Sequence, residues 1–148
     1  MEKINFSTSI NATKEKVWQI LRDDATYREW TSAFSEGSYA ETDHWKEGTE
    51  VKFLDPNGSG MISKVAVNNP FQYMSFQHLG EVKDGVEDRD SDRVKGWVGA
   101  TESCTLKETA GVTELAVDMD ISDEFKEMFM GIWPKALEKV KSLSEKSS

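Results

Sequence analysis

The chain has 148 residues, 37% of them apolar, which is one domain's worth with a substantial core and too short for two ordinary domains. The 18 basic and 27 acidic residues leave a formal charge of −9, so repulsion disfavours a nucleic-acid or anionic-membrane partner. Five Trp, seven Phe and three Tyr exclude disorder throughout, and the lack of a sustained repeat excludes a coiled coil or solenoid.

The first segment alternates. Ile4, Phe6, Thr8 and Ile10 share one face, with Asn5, Ser7 and Ser9 on the other, which predicts a half-buried strand. Thr13 is placed to cap a helix whose apolar stripe is Val17, Trp18, Ile20 and Leu21. A second short helix is expected from about Ala25 to Trp30. The period then changes to two. Val51 and Phe53 mark a strand, Asp55-Pro56-Asn57-Gly58 a turn, Gly60 to Val67 a strand, Asn68-Asn69-Pro70 a turn, and Phe71 to Leu79 a strand. These three strands predict an antiparallel meander.

Residues 80–96 are dense in charge and read as a mobile, solvated acidic loop or hairpin tip. Trp97 to Lys107 reads as a strand, Glu108 to Gly111 as a turn, and Glu114 to Met119 as the last strand. Ser122 is placed to cap a closing helix over about 122–144, with Phe125, Phe129, Ile132, Ala136, Val140 and Leu143 at helical spacing. Pro134 lies inside it, and a kink near 131–134 is expected rather than a break. Residues 144–148 are expected to fray.

No strand–helix–strand alternation occurs, so the predicted class is α+β with an antiparallel sheet of about six to seven strands. The apolar strand faces need a cover, and the long C-terminal helix is the one element large enough. A curved sheet wrapped around that helix is a helix-grip arrangement, spanning 1–148 as one domain.

Several stretches carry a resemblance. They are Ala12-Thr13-Lys14-Glu15-Lys16-Val17-Trp18, Tyr27-Arg28-Glu29-Trp30, Trp45-Lys46-Glu47-Gly48 and Gly58-Ser59-Gly60-Met61 leading to Asn69-Pro70-Phe71. Ser75 to Gly85 and Phe129 with Trp133-Pro134-Lys135-Ala136-Leu137 complete the set. Together they resemble the START/Bet v 1-like helix-grip superfamily (SRPBCC), in its branch similar to the activator of the heat-shock protein 90 ATPase. The resemblance covers nearly the whole chain. It implies a fold with an internal cavity; members bind lipids, sterols or polyketides, catalyse cyclisations, or contact a chaperone. Its motifs are structural markers, so no activity transfers with them.

Strand parity and aromatic content nominate Trp30, Phe53, Met74, Phe76, Trp97, Phe129 and Trp133 as the lining of a cavity between sheet and helix. His78 and Glu102 fall on the inward phase and are candidates for a polar pair at that cavity. Cys104 sits mid-strand with no basic neighbour and reads as an inert buried thiol; as a lone cysteine it cannot form an internal disulfide. His44 reads as a surface residue. No zinc spacing, calcium-loop pattern, nucleophile elbow or phosphate-binding glycine motif occurs, so no cofactor, metal or catalytic residue is assigned. No run of 18 apolar residues and no apolar segment at Met1 to Asn5 is present, which predicts a cytoplasmic protein with no membrane span. Three functions remain open: a binder of a small apolar or amphipathic ligand, a cyclase- or hydrolase-type enzyme using His78 and Glu102, and a chaperone-interacting module.

Overall fold

The computed structural model describes residues 2–146. In chain order these form β1 (Glu2–Ile10), α1 (Lys14–Arg22), α2 (Asp24–Trp30), β2 (Tyr39–Thr42), β3 (Glu50–Leu54), β4 (Gly60–Asn69), β5 (Tyr73–Lys83), β6 (Val86–Asp88), α3 (Asp92–Lys95), β7 (Thr101–Thr109), β8 (Val112–Ile121) and α4 (Asp123–Glu145). The eight strands make one antiparallel sheet in the order β1-β8-β7-β5-β4-β3-β2, with β6 hydrogen-bonded to β5. The α+β helix-grip expectation holds, with one strand more than the upper count.

Local chemistry explains the element boundaries. The Thr13 hydroxyl accepts from the Lys16 amide at 3.2 Å and opens α1. Val17, Ile20 and Leu21 then turn one face of that helix inward. Along β8, Thr113, Leu115, Val117, Met119 and Ile121 are buried at every second position, facing the core. On β1 the inward set is Ile4, Phe6, Thr8 and Ile10, in register with Met119, Val117, Leu115 and Thr113. Above these faces α4 contributes Trp133, Ala136, Leu137 and Val140 to the same core. A second small cluster joins Leu54, Ile62 and Val82.

Several boundaries differ from expectation. Ser122 occupies the N-cap of α4, yet its side chain makes no capping bond. Its carbonyl instead accepts from the amides of Phe125 and Lys126, at 3.1 and 3.2 Å. Helix α4 runs unbroken through Pro134, whose missing N–H leaves the Met130 carbonyl without its helical donor. The fraying expected from Ser144 onward is not seen at its first two residues: Ser144 is buried and Glu145 is still helical. The Glu145 carboxylate accepts from the Asn11 amide at 2.9 Å and from Lys141 at 2.7 Å. Ser147 and Ser148 lie outside the described residues.

Residues 80–96 are built rather than loose. Strand β5 extends to Lys83, turns at Asp84-Gly85, and pairs back through β6. Arg89 grips Glu50 of β3 through two bonds of 2.8 Å and also holds Glu87, which binds Lys52 at 2.9 Å. Ser91 caps α3, and Val94 is completely buried. Dense charge here is cross-strand pairing, so the segment has the ordering contacts that its composition hid.

Gly60 shows how tightly β3 and β4 meet. A Cβ at this position would lie 1.8 Å from the Phe53 carbonyl oxygen, with no flexible group to give way. Gly60→Ala is therefore expected to cost about 1–3 kcal/mol by overpacking, measured by urea denaturation. An unchanged midpoint would mean that the β3–β4 approach is looser than described.

Candidate functional site

Between the sheet, α2 and α4 lies a cavity of about 510 Å³. Its aromatic wall is built from Tyr27 and Trp30 on α2, Phe34 after it, Phe53 on β3, Phe76 on β5, and Phe129 and Trp133 on α4. The rings pack edge-on and stacked: Trp133 lies 5.1 Å from Phe34, 6.2 Å from Trp30 and 6.3 Å from Phe6. Phe53 and Phe76 meet edge to face at 5.2 Å. Met61, Met128 and Ile132 complete a largely apolar surface.

Seven of the nine nominated side chains line this cavity: Trp30, Phe53, Phe76, His78, Glu102, Phe129 and Trp133. Met74 and Trp97 do not. Met74 faces the same way as Phe76 but is completely enclosed in the core. Trp97 is half-buried in the turn after α3, because β7 starts only at Thr101. Its amide bonds the Val94 carbonyl at 3.0 Å, and Gly99, at φ +94°, donates to the His78 carbonyl. That left-handed glycine lets the chain turn where a strand was expected.

His78 and Glu102 both reach the cavity but do not form the expected pair. Phe76, not His78, is the register partner of Glu102. His78 sits two pairs further on, beside Ala100, so the two are diagonal neighbours, roughly 7–8 Å apart at Cα. The His78 Nδ1 instead shares a 2.7 Å hydrogen bond with the Ser63 hydroxyl. Burial pushes the imidazole down to about 4, only partly offset by Asp120. Glu102 is pushed up to about 7 by burial, with Arg22 pulling the other way. The Cys104 thiol is buried and raised to about 11, which fits an inert thiol.

The structure adds polar groups that the sequence did not disclose. Arg22, the last residue of α1, lines the cavity with its guanidinium over Trp45 (4.9 Å), Phe76 (5.3 Å) and Trp18 (5.7 Å). Its Nε is buried without a hydrogen-bond partner. Tyr27, beside it, has its phenol pushed upward by burial. Trp45, on a loop, is buried and donates its indole N–H to the Arg22 carbonyl at 2.9 Å. The signal for Arg22 was faint: it lies four residues after Trp18, on the flank of the apolar stripe.

The arrangement can hold an apolar body and meet one polar end of it. Among the described residues no group of three or more His, Cys, Asp or Glu is placed to hold a metal ion, and no helix is long and apolar enough to cross a membrane.

These features define a helix-grip domain with an aromatic-walled interior. No family model matches the chain, and no curated protein matches it in sequence. Solved structures do. The Aha1 dimer from Colwellia psychrerythraea is similar at TM-score 0.71 and 21% identity, over 98% of this chain and 97% of that one. An AHSA1-like protein from Aeromonas hydrophila is similar at TM-score 0.69 and 17% identity, over 97% and 92%. DynU16, a putative protein in the dynemicin biosynthetic locus, is similar at TM-score 0.69 and 14% identity, over 96% of this chain and 46% of that one. At these identities the likeness is one of fold, and it agrees with the resemblance read from the sequence motifs.

Proposed function

We propose that the protein binds a small hydrophobic or amphipathic molecule in the cavity between the sheet and α4. The observation that carries this reading is the cavity itself: about 510 Å³, walled by rings and with a mostly apolar surface. That volume falls within the roughly 300–1,000 Å³ of ordinary small-molecule sites. The neighbour encoded in a biosynthetic locus accords with a small-molecule role. His78 and Glu102 both line the cavity but are not hydrogen-bonded to each other, which lends the enzyme reading less support than the binding one.

One observation favours a second reading as a protein-interaction module of the chaperone-activator type. Phe125 and Met128, on one face of the first turns of α4, are 39% and 50% exposed. The fold likeness to the Aha1 dimer accords with that role.

A panel of apolar and amphipathic compounds separates the two. Binding in the cavity is expected to quench fluorescence, since Trp30 and Trp133 line it, and to raise Tm by mass action, about 2.7 kcal/mol at a hundredfold excess over Kd. Lys139→Ala, on the outer face of α4, should leave both responses unchanged. A panel with no effect on either signal would overturn the binder reading in favour of the interaction module.

A further inference from the structure

The polar groups at the inner wall of the cavity are arranged in a way that a purely apolar ligand would leave unused. Arg22 from α1, Tyr27 from α2 and Glu102 from β7 all line the same space, and Arg22 lies close enough to feel the charge of both of the others. Arg22 and Glu102 nevertheless form no ion pair with each other. The guanidinium is pinned between aromatic rings, which hold its charge but accept none of its N–H bonds in the manner of an oxygen. Its Nε is already a buried donor without an acceptor.

We propose that Arg22, Tyr27 and Glu102 form a head-group subsite for the carboxylate of an apolar carboxylic acid whose hydrocarbon body lies along the aromatic wall. This inference rests on the ligand-binding reading and names the class of ligand. A carboxylate is an acceptor-only group, and it can take two guanidinium N–H bonds in parallel while supplying the missing counter-charge. A hydroxyl would answer one donor and bring no charge. The Tyr27 phenol, which burial keeps protonated, is a second donor. Glu102 becomes a third once protonated, and the site is then neutral: one guanidinium, one ligand carboxylate, one carboxylic acid. That is the condition under which a buried carboxylate is tolerated.

The remaining walls do not disturb this balance. From α4 the cavity receives only apolar side chains, among them Phe129, Trp133 and Leu137. Cys104, on β7 with Glu102, also meets the Arg22 guanidinium, and burial keeps its thiol protonated and uncharged. His78 on β5 is engaged with Ser63 and kept neutral. Asp55, in the turn after β3, also borders the cavity, with its carboxylate accepting from the amides of Asn57 and Ser59.

The test compares decanoic acid with decan-1-ol, which share chain length and differ at the head, by isothermal titration of the native chain. The acid is expected to bind at least tenfold more tightly at pH 6.5. Above pH 8 its affinity should fall roughly tenfold per pH unit, because binding must then bring a proton to Glu102. Arg22→Met should cost the acid at least tenfold and leave the alcohol within about twofold. Glu102→Gln should keep acid binding, since its amide still donates, and should remove the pH dependence. Equal affinity for acid and alcohol in the native chain overturns the inference while the ligand-binding reading stands, and that comparison needs no variant to fold. Equal loss of both ligands in Arg22→Met overturns it likewise. If neither compound binds the native chain, the inference fails together with the reading beneath it.

Discussion

Trp133→Ala lowers the stability of the fold by about 3–5 kcal/mol, the range for deleting a large buried aromatic. Only 7% of Trp133 is exposed, and its indole meets Phe6, Trp30 and Phe34. Those rings come from β1, from α2 and from the chain just after α2, so one side chain ties three parts of the molecule to α4. Because the indole already borders a cavity, its removal enlarges that space rather than letting neighbours collapse into it. The gain in helix propensity on reaching alanine is only a few tenths of a kcal/mol and does not offset this. In a protein whose total stability is about 5–15 kcal/mol, the Tm should fall by about 6–20 °C. Met128→Ala is the contrast: it is 50% exposed on the same helix and should cost less than about 1 kcal/mol. Denaturant unfolding of the two variants checks the pair, and a Trp133→Ala loss below about 1 kcal/mol would contradict this packing.

The second large effect is hidden in the native chain and appears on substitution. Glu102 has its carboxyl raised from 4.5 to about 7, so the folded state holds that proton more tightly than the unfolded state. Its contribution is therefore favourable in acid and is lost as pH rises from 4.5 to 7. His78 is lowered from 6.5 to about 4, so the unfolded state holds its proton more tightly. Its contribution is present above 6.5 and is lost as pH falls towards 4. Each amounts to about 1–3 kcal/mol once water in the cavity is allowed to screen it. Over pH 4.5–6.5 the two slopes oppose and largely cancel. Glu102→Gln leaves the His78 slope alone, so stability relative to native should gain progressively up to pH 7. His78→Asn, whose amide can reach the Ser63 hydroxyl in place of Nδ1, leaves the Glu102 slope, and stability should fall over the same interval. Difference profiles from urea unfolding at several pH values isolate each group. Profiles of either variant parallel to native would contradict the environments assigned to these side chains.

What the sequence disclosed was local. Thr13, the Asp55-Pro56-Asn57-Gly58 turn and the alternation along β1 and β8 each state their own conformation, because capping, turn chemistry and period-two burial need only neighbouring residues. Inward parity on β5 and β7 was legible for the same reason, and it carried Phe76, His78 and Glu102 to the cavity. Register was not legible. Whether Glu102 faces His78 or Phe76 depends on how two distant strands slide, and that is set by pairs such as Gln77 with Thr101. Trp97 failed similarly: Trp97-Val98 has strand composition, but Gly99 bonding to the His78 carbonyl decides the backbone there. Strand β2 is four residues, Tyr39-Ala40-Glu41-Thr42, too short to show a period. Arg22 looked like a solvated helix end. Only Trp45 and Phe76, brought in from elsewhere, set rings against its guanidinium and make it a half-buried cation.

If the protein binds as proposed, an apolar molecule lies inside it, between the sheet and α4. Isotope-filtered nuclear Overhauser measurements on the protein titrated with decanoic acid test this placement most directly. Contacts are expected from the ligand's methylene protons to Trp30, Phe53, Phe129 and Trp133. Contacts confined to the outer residues Phe125 and Met130, with none to Trp30 or Trp133, would contradict it.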